Sequence, residues 1–190
     1  MNREVWTVNP PFPLTPANPM SAIASEFLGD TIATFRRYRE MGERAMAQLP
    51  DEELFRAPDP EGNSIAVIVK HLHGNMLSRW RDFLTTDGEK PDRDRDSEFE
   101  MSAATTGDEV RAWWAEGWDT ALASLEALRP TDLDRTVTIR GEPHSVLQAL
   151  LRQLTHAAYH VGQIVLLAKH ARGSEWKTLS IPKRRPAGTE

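Results

Sequence analysis

The stretch from Ser145 to Lys169, SVLQALLRQLTHAAYHVGQIVLLAK, reads as one long helix that the rest of the chain must be arranged to cover. Ser145 offers an N-cap hydroxyl to an orphan backbone N–H, and Gln148, three residues on, completes a capping box. Pro143 lies just outside the start, and Gly173 lies beyond the far end. At about 100° per residue, Ala149, Gln153, His156, His160, Gln163 and Leu167 fall on a stripe roughly 80° wide. A broad apolar sector made by Leu147, Leu150, Leu154, Ala157, Val161, Ile164 and Val165 runs beside it. The two histidines therefore stand one turn apart on the border of the buried face.

Histidines at i and i+4 project two imidazoles toward one point, the arrangement that grips a transition metal. The spacing equally suits two border histidines bonded to water or to neighbours. A third ligand elsewhere in the chain decides between these readings.

At 190 residues, 39% hydrophobic and 27% charged, the chain suits one globular domain with a real core. A net charge of −5, with basic residues scattered among acids, argues against nucleic-acid binding, which relies on clustered Lys and Arg. The basic cluster Lys183, Arg184 and Arg185 fits a solvated C-terminal tail. The absence of cysteine rules out disulfides, thiolate-ligated zinc, iron–sulfur clusters and a cysteine nucleophile, so a metal would be held by His, Asp, Glu or neutral oxygen donors. The N-terminal sequence has no apolar run after a basic start, and no stretch approaches a membrane span, so neither a signal peptide nor a membrane association is expected. A cytoplasmic protein is the expectation.

In chain order, residues 1–18 form a proline-rich arm in which Trp6 and Phe12 are the expected anchors. Helix 1 is expected from about Pro19 to Leu49, with Asn18 as N-cap and Ile23, Phe27, Leu28, Ile32, Phe35, Met46 and Leu49 on its core face. A turn-rich connector, Asp51 to Asn63, leads to helix 2, Ser64 to Thr86, whose apolar sector is Ile65, Ile68, Val69, Leu72, Met76, Trp80 and Phe83. His71 lies on one border of that sector, with Asn75, Ser78 and Asp82 at its azimuth, and His73 lies on the other. Only one of these two histidines can face the last helix, and spacing leaves both open.

The charged stretch from Asp87 to about Thr106 is expected to be a solvated crossover between distant helices, tied down by Phe99 and Met101. Helix 3 follows from Thr106, where Glu109 completes a capping box, to about Leu128. Its Trp113, Trp114 and Trp118 suit either a ligand pocket or, more simply, core and interface. A short alternating piece, Thr136 to Arg140, suggests a strand or ribbon before the last helix. The architecture expected is all-α: a four-helix bundle over 19–173 with a long crossover between helices 2 and 3, a proline-rich arm before it and a tail over 174–190.

The His-Leu pair midway along helix 2, His71-Leu72 in IAVIVKHLHGNMLSRW, is followed far downstream by H-x-x-x-H-x-x-Q at His156, His160 and Gln163. In this order, and together with the phrases RWRDFLTTDGEKP and HVGQIVLLAKH, these motifs resemble the DinB-like superfamily of DinB/YfiT-type metalloenzymes, and within it a branch known only as a domain of unknown function. The resemblance extends over about Ala22 to Lys169. It implies a bundle that binds a divalent metal, commonly zinc or nickel, through three histidines, and it selects His71 over His73. Members of the wider superfamily include S-transferases and isomerases that use low-molecular-weight thiols.

Three neutral imidazoles leave open positions on a metal, which lowers the pKa of a bound water or thiol. Gln163 is placed to hold a metal-bound water or a ligand carbonyl, and Asn75 or Asp82 to orient His71 through its second nitrogen. No carboxylate shares the stripe of His156 and His160, Asp82 is about three turns from His71, and Ala157 follows His156, so a hydrolase of the H-E-x-x-H kind is not expected. His144 is assigned to capping or packing. The leading expectation is a thiol-dependent S-transferase acting on a small electrophilic substrate; the alternative is a non-catalytic metal- or ligand-binding bundle. The tryptophan-rich helix and the arm also suggest a homodimer surface.

Overall fold

The computed structural model describes residues 19–182. The anchors Trp6 and Phe12, the N-cap Asn18 and the basic cluster at 183–185 lie outside them. Among the described residues the chain is mainly helical, with five α-helices and a two-stranded sheet: α1 Pro19–Met46, α2 Asp51–Leu54, α3 Ile65–Trp80, α4 Gly107–Glu126, β1 Thr136–Ile139, β2 Glu142–Ser145 and α5 Val146–Arg172. None of these helices is long and apolar enough to cross a membrane.

The caps lie where side-chain chemistry puts them. Ser64, Thr106 and Ser145 each accept a backbone N–H from the third residue of the helix that follows, and Glu109 and Gln148 close the reciprocal halves of two capping boxes. The short α2 falls in the expected connector. Helix α1 stops at Met46 rather than Leu49, in a turn before Pro50.

Helix α3 stops at Trp80, six residues short of the expected Thr86. Arg81 is extended, Asp82 takes a left-handed φ of 50°, and the Asp82 carbonyl accepts from the backbone of both Thr85 and Thr86. Asp tolerates that conformation and β-branched Thr is a weak helix former, so a tight turn displaces the last helical turns. The Trp80 carbonyl, freed at the helix end, accepts the Ser124 hydroxyl of α4 at 2.8 Å.

The long sides of the molecule pack α3 on α4, α1 on α5, α3 on α5 and α1 on α4. Between them lie Phe35, Trp80, Trp118, Leu72, Met76, Leu125, Leu150, Val161 and Ile164, all buried. Phe35 meets Trp80 and Trp118 edge-on at 6.2 and 5.9 Å. The expected core face of α1 is buried at Leu28, Phe35, Met46 and Leu49, whereas Ile23 is exposed. Strands β1 and β2 form an antiparallel hairpin whose two loop residues, Arg140 and Gly141, both have positive φ, as a tight right-twisted hairpin requires. This hairpin feeds directly into α5: the strand or ribbon expected from Thr136 is present as β1, and its pairing with β2 adds one small sheet to the all-α architecture.

The crossover is solvated along much of its Asp and Arg run, where Asp92, Asp94, Arg95 and Asp96 are exposed, but it is anchored inward at Gly88, Lys90 and Glu98. Lys90 and Glu98 are buried, and Ser78 of α3 both accepts from the Lys90 backbone N–H and donates to the Gly88 carbonyl. The Gly88 N–H reaches the Thr138 carbonyl of β1 at 2.8 Å, and Lys70 Nζ donates to the carbonyls of Ser97 and Glu100, each at 2.7 Å. Charge alternation in the sequence hid this layer: Glu98 is paired with Arg93 of the same stretch and Lys90 Nζ donates to the Asp87 carbonyl, and composition does not show that these local pairs face inward. Past α5, Gln48 exchanges two hydrogen bonds with the backbone of Lys177, which draws the described end of the chain back to α1.

Candidate metal centre

His71 is carried by α3, and His156 and His160 by successive turns of α5 where the two helices pack together. One ring nitrogen from each lies within 4.8 Å of the others. Nε2 of His71 is 3.2 Å from Nε2 of His156, and the ring centroids of the three pairs are 4.6 to 5.3 Å apart. His73, left open by spacing, turns instead toward α4, where it hydrogen-bonds Glu116 at 2.8 Å and stacks on Trp113.

The hydrogen bonds around the rings assign their protons. Burial alone would raise the Glu98 carboxyl, but hydrogen bonds from His71 and Arg93 and the Arg93 charge outweigh it and hold the group below the usual carboxylate range. As a carboxylate it can only accept, so His71 donates from Nδ1 to Glu98 Oε2 at 2.8 Å, and Nε2 is left with its lone pair. His160 likewise donates from Nδ1 to Gln163 Oε1 at 2.8 Å. Burial, then the charges of His160, His71, Arg93 and Arg79, push His156 down to about 3. Burial, assisted by the His71 charge and opposed by the Gln163 hydrogen bond, pushes His160 down to about 4. Near pH 7 these two rings are neutral, the state a metal ligand needs.

The donor set fits a divalent ion. Imidazole nitrogens about 2.0–2.1 Å from a tetrahedral zinc stand about 3.3 Å apart; His71 and His156, joined by an Nε2–Nε2 hydrogen bond of 3.2 Å, have that spacing, and one nitrogen of each of the three rings lies within 4.8 Å of the others. Nδ1 of His156 is buried without a hydrogen-bond partner, so this ring, unlike those of His71 and His160, has no neighbour at Nδ1 that fixes its tautomer among the described residues.

Other expectations are redistributed. Asn75 does not orient His71: its Oδ1 accepts from Gln153 Nε2 at 2.9 Å, joining α3 to α5 below the histidines. Asp82 lies beyond the end of α3, in the turn that terminates it. Gln163 holds the ring of His160, and His144 donates to the Glu142 carbonyl of its own strand. Trp114 and Trp118 are core, while Trp113 covers His73.

The residue that orients His71 is Glu98 of the crossover, which sequence reasoning missed. Arg93, its side chain 4% exposed, grips that carboxylate with two hydrogen bonds of 2.7 and 2.9 Å. Phe99, next in the chain, lies against His71 at 5.0 Å, with the Arg95 guanidinium over its outer face. A signal was present in Gly74, inside α3, because a mid-helix glycine marks a close approach. A Cβ there would sit 2.2 Å from Glu98 Oε1.

A family model described as "Protein of unknown function (DUF1572)" matches residues 22–185, which takes in the five helices from the first turn of α1 onward and all three histidines. No curated protein matches the chain at a significant level.

Proposed function

The chain belongs to that family of unknown function, DUF1572, and from this premise we propose that it is a divalent-metal protein of the DinB-like type, a thiol-dependent S-transferase acting on a small electrophilic substrate. On this reading the four long helices are a bundle, and zinc or nickel is held by His71, His156 and His160. The observation that carries it is the convergence of three imidazoles from two helices, with Nδ1 of His71 and of His160 already engaged elsewhere so that each presents Nε2. A bound divalent ion supplies Lewis acidity, which brings a coordinated thiol to thiolate near neutral pH.

The chain's own residues do the rest. Glu98 and Gln163 hold two of the imidazoles in the ligating tautomer, and Phe99 and Tyr159, with rings 5.0 and 4.7 Å from His71 and His160, flank the cluster with apolar surface. Glu98 is fully engaged by His71 and Arg93, so it is not a free base for water activation; this supports thiolate attack over hydrolysis. In that reaction the thiol proton passes to solvent, the sulfur lone pair forms the new S–C bond, and the leaving group departs with the electron pair of the bond that breaks.

Elemental analysis of untagged protein, stripped with chelator and reloaded, is expected to give one zinc or nickel ion per chain, lost in His156→Ala. A wild-type chain that takes up no ion, with His156→Ala unchanged in ion content and melting, overturns the proposal. Screening low-molecular-weight thiols against electrophilic acceptors separates enzyme from plain metal binder: metal-dependent turnover that vanishes in His160→Ala removes the non-catalytic reading, and its absence across the screen favours that reading.

A further inference from the structure

The α3 turn that presents His71 to the other histidines also holds the crossover. Lys70 takes the Ser97 and Glu100 carbonyls, His71 takes the Glu98 carboxylate, and Gly74 leaves the space that carboxylate fills. Residues 97–100 are thus clamped by three side-chain positions within five residues of one helix. Glu98 is 5% exposed, and Arg93, from the same crossover, completes its hydrogen bonding. The carboxylate therefore cannot move without unpairing two buried cations or donors, and the His71 ring cannot turn without unpairing the carboxylate.

We infer that Glu98 is a positioning residue that couples occupancy of the three-histidine centre to closure of the crossover over 87–106, so that the ion tightens the crossover and the closed crossover tightens the ion. This rests on the metal reading above. A carboxylate on Nδ1–H fixes the ring and raises the basicity of Nε2; an ion on Nε2 makes Nδ1–H a stronger donor to Glu98. Because the two effects share one free energy, they are reciprocal. Gly74 is part of the device: its missing Cβ sets where Oε1 sits.

Two variants and one control test it. Glu98→Gln keeps the shape and removes the charge. Gly74→Ala keeps the carboxylate but fills its cradle, while favouring the helix backbone. Glu116→Gln disrupts a histidine–carboxylate pair of the same 2.8 Å length on the other side of α3, at His73. Zinc affinity, measured by competition with a chromophoric chelator, is expected to fall about 10- to 100-fold in Glu98→Gln, to fall in the same direction in Gly74→Ala, and to stay unchanged in Glu116→Gln.

The second readout is proteolysis within 87–106. In the wild type, saturating zinc is expected to slow cleavage by about tenfold, whereas in Glu98→Gln cleavage is equally fast with and without zinc. A purely structural glutamate would raise cleavage in both states and leave the zinc effect intact, which overturns the coupling. If the wild type binds zinc and both variants bind it equally well, the inference fails while the metal reading stands. A wild type that binds no zinc ends the metal reading, and the coupling with it.

Discussion

Single atoms decide the chemistry of the three-histidine cluster. His156 and His160 are held neutral, down to about 3 and about 4, chiefly because burial disfavours their charged forms. In the unfolded chain both titrate near ~6.5, so between roughly pH 6.5 and pH 4 the unfolded state binds more protons than the folded one. Stability of the metal-free protein is therefore full above about 6.5 and lost progressively as pH falls toward those folded-state values. Urea titrations at steps from pH 7 to pH 5 should show the midpoint falling, and a His156→Gln, His160→Gln double variant should flatten that slope; a midpoint independent of pH in the wild type contradicts the assignment. The sequence places His156 and His160 together because they are one helical turn apart, but no local rule distinguishes His71 from His73. That choice depends on which border of α3 faces α5 and which faces α4, where Glu116 waits for His73. Glu98 was invisible for a related reason: among Asp and Arg neighbours its charge looks solvated, and its partner His71 lies 27 residues away.

Among the elements, the pairing of α1 with α4 depends on an absent side chain. A Cβ at Gly42 would lie 2.3 Å from Cζ2 of Trp114, which is itself buried, so the helices approach over the glycine. Alanine gains about 1 kcal/mol of helix propensity over glycine, yet overpacking at a well-filled contact costs roughly 1–3 kcal/mol. Gly42→Ala is expected to be net destabilising by about 1 kcal/mol, read from the urea midpoint; an unchanged or raised midpoint shows that Trp114 yields freely. The helices themselves were legible where periodicity and caps agree, as at Ser64, Thr106 and Ser145. The early stop of α3 was not: its apolar spacing runs on through Phe83, but Asp82 turns the backbone out of the helix and Phe83 is buried from the turn instead. The crossover was recognised as a solvated link but its anchors were not, since composition reports the charges of Arg93 and Glu98 but not that this pair faces inward against His71.

For the molecule as a whole, the metal binding proposed above predicts that an ion shared by α3 and α5 would tie together segments 85 residues apart in the chain, the separation of His71 from His156. Binding to the folded state alone stabilises it by mass action, about 4 kcal/mol at a free concentration 1,000 times Kd. Zinc or nickel should therefore raise the melting temperature in a concentration-dependent way, chelator should reverse the rise, and His160→Ala should show neither effect; an ion-independent melt in the wild type contradicts a shared site. The amino-acid order already contained whatever depends on neighbours a few positions away: helical periodicity, the capping boxes, the short strand from Thr136, and the i, i+4 histidine pair. It did not contain the identity of the third histidine's support, the end of α3 or the inward anchoring of the crossover at Lys90 and Glu98. Those follow from which surfaces meet once the helices pack, because contacts between remote segments satisfy buried charges and hydrogen bonds that no local pattern records.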